Sequence, residues 1–238
     1  RYRTLWRRSC WPSNSIEHGQ CWPGTRTTVP RNHRSMPGAL YLASRSPRRR
    51  ELLKQIGIKF DPLLLRLAAP RGPDVNESQH DGESCTDYVE RTAREKAAFG
   101  LTVLRMRSML YRPVLSADTI VIVDDGVLAK PANVEQAREF MRKLSGRTHE
   151  VRTAVALAME GSLTTATSVS RVTLRALTRD EIERYCATRE PYDKAGGYAI
   201  QGLASIFIER LEGSYSGVMG LPLFETAQLL SRAGLKVL

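Results

Sequence analysis

The chain has 238 residues, enough to bury roughly 70% of its unfolded surface without disulfides or a structural metal. Its 36 Lys and Arg against 25 Asp and Glu give a net charge of +11, which taken alone points toward nucleic acid or an acidic membrane. No apolar run approaches the ~18–20 residues of a membrane span, and Cys10, Cys21, Cys85 and Cys186 form no CxxC pair, so neither a transmembrane helix nor a zinc or disulfide framework follows.

The charge is unevenly placed. Residues 1–36 carry seven arginines against Glu17 alone, a net +6, which leaves +5 for the rest. The same stretch holds Trp6, Trp11 and Trp22, all three tryptophans of the chain, and no helical or strand period. A signal peptide needs an unbroken apolar core, which is missing here, and Trp and Pro spoil the amphipathic helix of a mitochondrial presequence. We read Met36 as the start and residues 1–35 as a non-native or disordered leader beside a folded domain over 36–238. With that excess set aside, the expectation is a soluble cytoplasmic protein with neither nucleic acid nor membrane as partner.

Leu40-Tyr41-Leu42-Ala43 is a short apolar run suited to a buried strand. It stops at Ser44 and a helix begins at once: Ser46 suits the N-cap, Pro47 the first helical position and Gly57 the left-handed residue that closes the helix. Arg48, Arg49 and Arg50 occupy its first turn. Free N–H groups at a helix start attract anions, and guanidinium forks match phosphate oxygens. Positive side chains there oppose the helix dipole, which a bound polyphosphate would offset; a solvated basic turn is the plain alternative. The glycines of a Walker loop are absent.

Ile58 to Leu67 reads as a second strand, broken by Pro70, Gly72 and Pro73. Asp74-Val75-Asn76-Glu77 is then a polar loop whose acids are solvated or, in the sharper reading, metal ligands. From Cys85 the spacing becomes helical, with Tyr88, Val89, Thr92, Ala93, Lys96 and Ala97 on the inward face. A lysine on such a face ordinarily snorkels to water; contact with a phosphate is the alternative.

Val114 to Val123 is rich in β-branched residues and reads as a buried strand, which Asp124-Asp125-Gly126 turns back into Val127 to Pro131. Asp118 interrupts the apolar run. A carboxylate there is costly unless it is hydrogen-bonded, paired or metal-bound, which makes Asp118 the most conspicuous acid of the chain. Lys130, just past the hairpin, returns a positive charge to the same area.

Asn133 opens the next helix with Gln136 in the capping-box position; Ala137, Phe140, Met141 and Leu144 form its apolar face and Gly146 ends it. Thr148–Met159 and Thr164–Leu174 read as strands around Gly161, and Thr178-Arg179-Asp180-Glu181 is a second capping box, opening a helix through Cys186. The alternation of helices and strands indicates an α/β fold. Between Glu190 and Gly202, Gly196 and Gly197 permit close backbone approach while Asp193, Lys194 and Gln201 supply polar groups. After the apolar run Ser205 to Ile208, the segment Gly213 to Gly220 leads to Leu221-Pro222 and a last helix reaching Ser231. No internal repeat or linker is visible.

Five segments in this order, LYLASRSPRRRELL from Leu40, SADTIVIV from Ser116, KLSGRTHEV from Lys143, DKAGGYAIQG from Asp193 and GSYSGVMGLPLFET from Gly213, resemble the Maf family of nucleotide pyrophosphatases. The resemblance covers residues 36–238. It implies an elongated mixed-sheet α/β fold with a central cleft, related to the inosine-triphosphatase type and commonly a homodimer. It also implies hydrolysis of a nucleoside triphosphate to the monophosphate and pyrophosphate, dependent on Mg²⁺ or Mn²⁺. Arg48, Thr119 and Gln201 are similar to the branch acting on dTTP and UTP, and modified pyrimidine triphosphates fit the same description. The sister branch acting on 7-methyl-GTP, or a nucleotide-binding regulator of septum formation, are the alternatives.

Carried over by position, the resemblance makes Asp118 the proton acceptor and Arg48, Arg49, Lys96, Lys130, Ser44 and Lys194 substrate contacts. It makes Glu77 and Asp118 the metal ligands, and Arg48, Thr119 and Gln201 the specificity residues. This agrees with the chemistry of the residues. Splitting a phosphoanhydride with water needs neutralised phosphates, an oriented nucleophile and a base. An amide such as Gln201 offers both a donor and an acceptor to a pyrimidine edge, which separates uracil and thymine from cytosine, and Thr119 is small enough to flank the base.

Overall fold

The computed structural model describes residues 39–66 and 74–237; the leader expected over 1–35 lies outside the described residues, as does Leu67 at the end of the second predicted strand. Strand β1 (Ala39–Leu42) runs into helix α1 (Pro47–Gln55). Pro47 takes the first position as expected. Gly57 adopts φ +72°, and Ile58 N–H reaches Leu53 O at 3.2 Å while Gly57 N–H reaches Lys54 O at 3.0 Å, the paired bonds of a Schellman stop. Ser46 stands at the N-cap, but its hydroxyl accepts no first-turn amide, so the cap expected there is not made.

β2 (Lys59–Pro62) is shorter than the apolar run suggested, because its partner β1 ends at Leu42, whose carbonyl takes the last bond of the pair from Leu63 N–H at 2.9 Å. α2 (Cys85–Met106) is capped by Ser84 and buries Val89, Thr92, Ala93, Lys96 and Ala97. β3 (Val114–Val123) turns at Asp124-Asp125 into β4 (Gly126–Leu128). In α3 (Val134–Leu144) the Asn133 side chain accepts from Gln136 N, but the Gln136 amide reaches back to Ala132 N at 2.7 Å rather than to Asn133, so the box is displaced by one residue.

β5 (Thr148–Met159) and β6 (Ser162–Leu174) form a long hairpin that closes at Glu160-Gly161, two residues tighter than predicted because Gly161 takes φ +73°. The capping box of α4 (Arg179–Cys186) forms as expected. Three short 3₁₀ turns follow (191–193, 195–197 and 203–207), then β7 (Ile208–Glu212), α5 (Tyr215–Met219) and α6 (Leu223–Arg232). The last of these ends one residue beyond the expected Ser231.

The sheet order is β2-β1-β3-β5-β6-β7, with β4 added to β3. β1 is parallel to β2 and β3, whereas β3, β5, β6 and β7 pair antiparallel in succession, so the sheet is mixed as expected. Side-chain alternation divides β3 between its neighbours. Ile120 and Ile122 pack with Val89, Ala93 and Ala97 of α2. Leu115 and Ala117 pack on the other face with Leu52, Leu53, Leu229 and Leu230 of α1 and α6, while Val121 and Val123 meet Phe140, Met141 and Leu144 of α3.

One consequence of the register positions everything that follows. β1 leaves β3 after Leu42↔Leu115, and β4 joins the same edge only at Leu128↔Val121. Between them residues 116–120 of β3 keep β5 on one side and have no strand on the other.

Candidate active site

A cleft of about 520 Å³ opens at this gap in the sheet, within the range of small-molecule sites. It lies past the carboxyl end of β1, where crevices form when neighbouring strands part. Because the edge is open, successive residues of β3 enter the cleft from opposite faces: Asp118 faces α2, and Thr119 faces α1.

On the α2 side, Lys96 Nζ donates to Asp118 Oδ1 at 2.7 Å and pairs with Glu77 Oε2 at 3.0 Å. Lys96 is only 8% exposed, so the expectation that it snorkels is overturned: its ammonium is held between two carboxylates that leave it no reason to reach water. Glu77 is brought in by a loop fastened to α2. Tyr88 Oη donates to Glu77 O at 2.6 Å, and Arg91 donates to Asn76 O at 3.2 Å and Ser78 O at 2.8 Å. Burial first, then the charges of Asp118 and Glu77, push the Tyr88 hydroxyl above its usual pKa, so it remains a donor.

Ser44, Arg48 and Arg49 enter from the loop after β1 and the start of α1. Arg49 donates to Gly220 O at 2.6 Å, Thr119 Oγ1 at 3.1 Å and Ser44 Oγ at 3.3 Å, tying α1, β3 and the end of α5 together. Burial lowers its guanidinium pKa, an effect that the Asp118 charge opposes. Ser44 Oγ also accepts from Ser46 N at 3.2 Å, so in this state the hydroxyl brackets the turn. Arg48 crosses to Asp193 at 3.4 Å. Arg50 departs from the three-arginine reading: it donates to Arg45 O at 2.9 Å and lines no part of the cleft. Arg45 does line it, a residue the sequence reading passed over.

The opposite wall is Lys130 and the segment 193–201. Lys130 is exposed and Gln201 presents an amide with no hydrogen-bond partner among the described residues. Lys194 is held by Glu190 O at 2.7 Å and by the Asp193 carboxylate. Burial alone would raise the Asp193 pKa, but the bond from Lys194 and the charges of Lys194 and Arg48 hold it below its usual value. Gly196 takes φ +68°, and a side chain there would meet Val121 at 2.9 Å, which lets the segment lie directly on β3. Tyr198 lines the cleft from beneath and hydrogen-bonds His149 Nε2 at 2.7 Å. His149 is a support residue that the sequence does not single out, although a histidine beside strand residues is a signal; Asp193 and Tyr88, expected only as a polar group and an inward-facing residue, support the cleft as well.

All the expected site residues therefore share one cleft. Six cations, Arg45, Arg48, Arg49, Lys96, Lys130 and Lys194, face three acids, Glu77, Asp118 and Asp193, an excess suited to a polyanion. Glu77 and Asp118 each turn a carboxylate oxygen to Lys96 Nζ, and among the described residues no cluster of three or more acids, histidines or cysteines that could hold a metal forms. Paired carboxylates are the hard oxygen donors that cations such as Mg²⁺ or Mn²⁺ take together with water and phosphate oxygens. Among the described residues no helix is long and apolar enough to cross a membrane.

Comparison with known proteins bears on what the cleft holds. The profile of the family described as Maf-like protein matches residues 39–233. The chain is 54% identical over 201 residues to a dTTP/UTP pyrophosphatase of Bordetella parapertussis, covering 84% of this chain and 95% of that protein. It is 56% identical to the protein of the same name from Bordetella avium, covering 82% and 96%, and 51% identical to that of Aromatoleum aromaticum, covering 82% and 95%. Among solved structures, the Ham1 protein of Staphylococcus aureus aligns at a TM-score of 0.37 and 12% identity, over 57% of this chain and 71% of that one.

Proposed function

The chain belongs to the Maf family, and from that premise we propose that it hydrolyses dTTP and UTP to the nucleoside monophosphate and pyrophosphate. The observation that carries the reading is the open edge of β3, where Lys96 joins Asp118 to Glu77 on one face while Thr119 meets Arg49 on the other. A triphosphate laid across that edge reaches the arginines of α1 and the acids beside α2 together.

Arg48, Arg49, Lys130 and Lys194 neutralise the phosphates, and the first-turn amides of α1, left without a side-chain cap, add donors on the same side. Ser44 orients Arg49 and lies within reach of the same phosphates. Lys96 orients Asp118 and contacts the phosphate drawn up beside it. Asp118 accepts the proton of the attacking water, and pyrophosphate leaves from the α-phosphorus. Glu77 and Asp118 would hold Mg²⁺ or Mn²⁺, which supplies charge neutralisation at the reacting phosphate. Arg48, Thr119 and Gln201 set specificity, with the free amide of Gln201 reading the pyrimidine edge. Asp193 releases Arg48 and Lys194 when a stronger polyanion arrives.

A panel of nucleoside triphosphates with Mg²⁺ or Mn²⁺, scored for monophosphate and pyrophosphate, tests the proposal; dTTP and UTP should lead. Equal rates on GTP and CTP, or no pyrophosphate at all, would defeat it. From the family resemblance we also propose a cytoplasmic homodimer of the 36–238 domain without nucleic-acid partner, which light scattering and DNA titration check.

A further inference from the structure

Resting on the base-reading role just given to Gln201, we propose that Glu190 is the positioning residue that sets Gln201 and Lys194 in the cleft and thereby fixes selectivity among pyrimidines. Glu190 does not line the cleft. It stands beyond α4; its carbonyl is bonded to Lys194 of the segment that does, and its side chain to the backbone just beyond Gln201.

Gln201 is exposed, and among the described residues nothing grips its amide, so its aim depends on the backbone that carries it. Upstream that backbone closes a turn, Gly202 N–H to Ala199 O at 3.1 Å. Downstream it is pinned by one carboxylate: Leu203 N–H donates to Glu190 Oε2 at 2.7 Å and Ala204 N–H to Oε1 at 3.1 Å. Tyr185 Oη, buried beneath, lies 3.1 Å from Oε1 and fixes the rotation of the carboxylate. Gly202 has an ordinary φ of −107°, yet a Cβ there would lie 2.3 and 2.6 Å from the two Glu190 oxygens. A side chain next to Gln201 would therefore displace that carboxylate, whatever the backbone conformation. The Glu190 carbonyl meanwhile accepts from Lys194 Nζ at 2.7 Å, so a base-facing and a phosphate-facing group hang on the same residue.

Glu190→Gln keeps the shape but turns one acceptor oxygen into an amide NH₂ that only donates, leaving one of the two pinned backbone N–H groups unpaired. The UTP-to-CTP ratio of kcat/KM should fall roughly ten-fold, as expected when one buried partner is lost. Gln201→Ala should lower the same ratio, and the double variant should lower it no further than Gln201→Ala alone. Glu190→Gln slowing UTP and CTP by one common factor, while Gln201→Ala lowers the ratio, would overturn the role of Glu190 and leave base reading intact. An unchanged ratio in Gln201→Ala would remove base reading and this inference with it. Should Glu190→Gln fail to fold by circular dichroism, Tyr185→Phe replaces it: a lowered ratio supports the inference and an unchanged one overturns it.

Discussion

Asp118 shows how a single residue can be legible in sequence while its partners are not. A carboxylate midway along a ten-residue strand demands compensation, and Lys96 at 2.7 Å supplies it. Asp118→Asn keeps the size and most hydrogen bonding but removes the base, so kcat should fall about 10²- to 10⁴-fold with UTP affinity largely kept, measured by initial rates and calorimetry. His149 is the clearest case of a group hidden from sequence reading. Burial lowers its pKa from 6.5 to about 4, and its Nδ1 has no partner among the described residues. The folded protein keeps it neutral while the unfolded chain protonates it first. Its contribution is therefore fully present above about pH 6.5 and lost as pH falls toward 4, by an order of about 3 kcal/mol. Denaturant titrations at pH 7 and 4.5 should show that loss, and His149→Gln should flatten it.

At the scale of elements, local signals were read well where the chemistry is local. The Schellman stop at Gly57 and the capping box at Thr178 were both visible as residue patterns and both form. Strand β7 and helix α5 were not visible, since Ile208–Glu212 alternates weakly and α5 has only five residues. The loop carrying Glu77 is polar and shows no period; it is held by side chains of α2 twelve or so residues on. If Tyr88 and Arg91 hold Glu77 for a metal, Tyr88→Phe should raise the Mg²⁺ concentration for half-activation about ten-fold or more, with KM for UTP at saturating Mg²⁺ changed far less. Gly196→Ala should cost about 2 kcal/mol of stability in thermal or denaturant unfolding, because both its φ and its contact with Val121 forbid a side chain.

For the whole molecule, the decisive feature is a mismatch of strand lengths. β1 is four residues long and β3 is ten, so β3 outruns its neighbour, and within the stretch left without a strand on that edge Asp118, Thr119 and Ile120 line the cleft. The family match begins at residue 39. A chain starting at Met36 should therefore keep its melting temperature within a few degrees and its pyrophosphatase rate within about two-fold. Its affinity for DNA at low salt should drop, because six of the eleven net positive charges leave with residues 1–35.

By itself the sequence determined the α/β class, most of the helix starts and stops, the family and the expected residues of the cleft, because hydrophobic period, capping and five separated motifs are all written in short stretches of chain. Only the tertiary structure decided that Lys96 faces Glu77 and Asp118, that Arg50 turns away while Arg49 braces α1 against β3, and that Glu190 holds the segment bearing Gln201. Those are pairings between residues 5 to 171 positions apart, set by which strand edges are left open and which helix faces pack, and no local pattern encodes them.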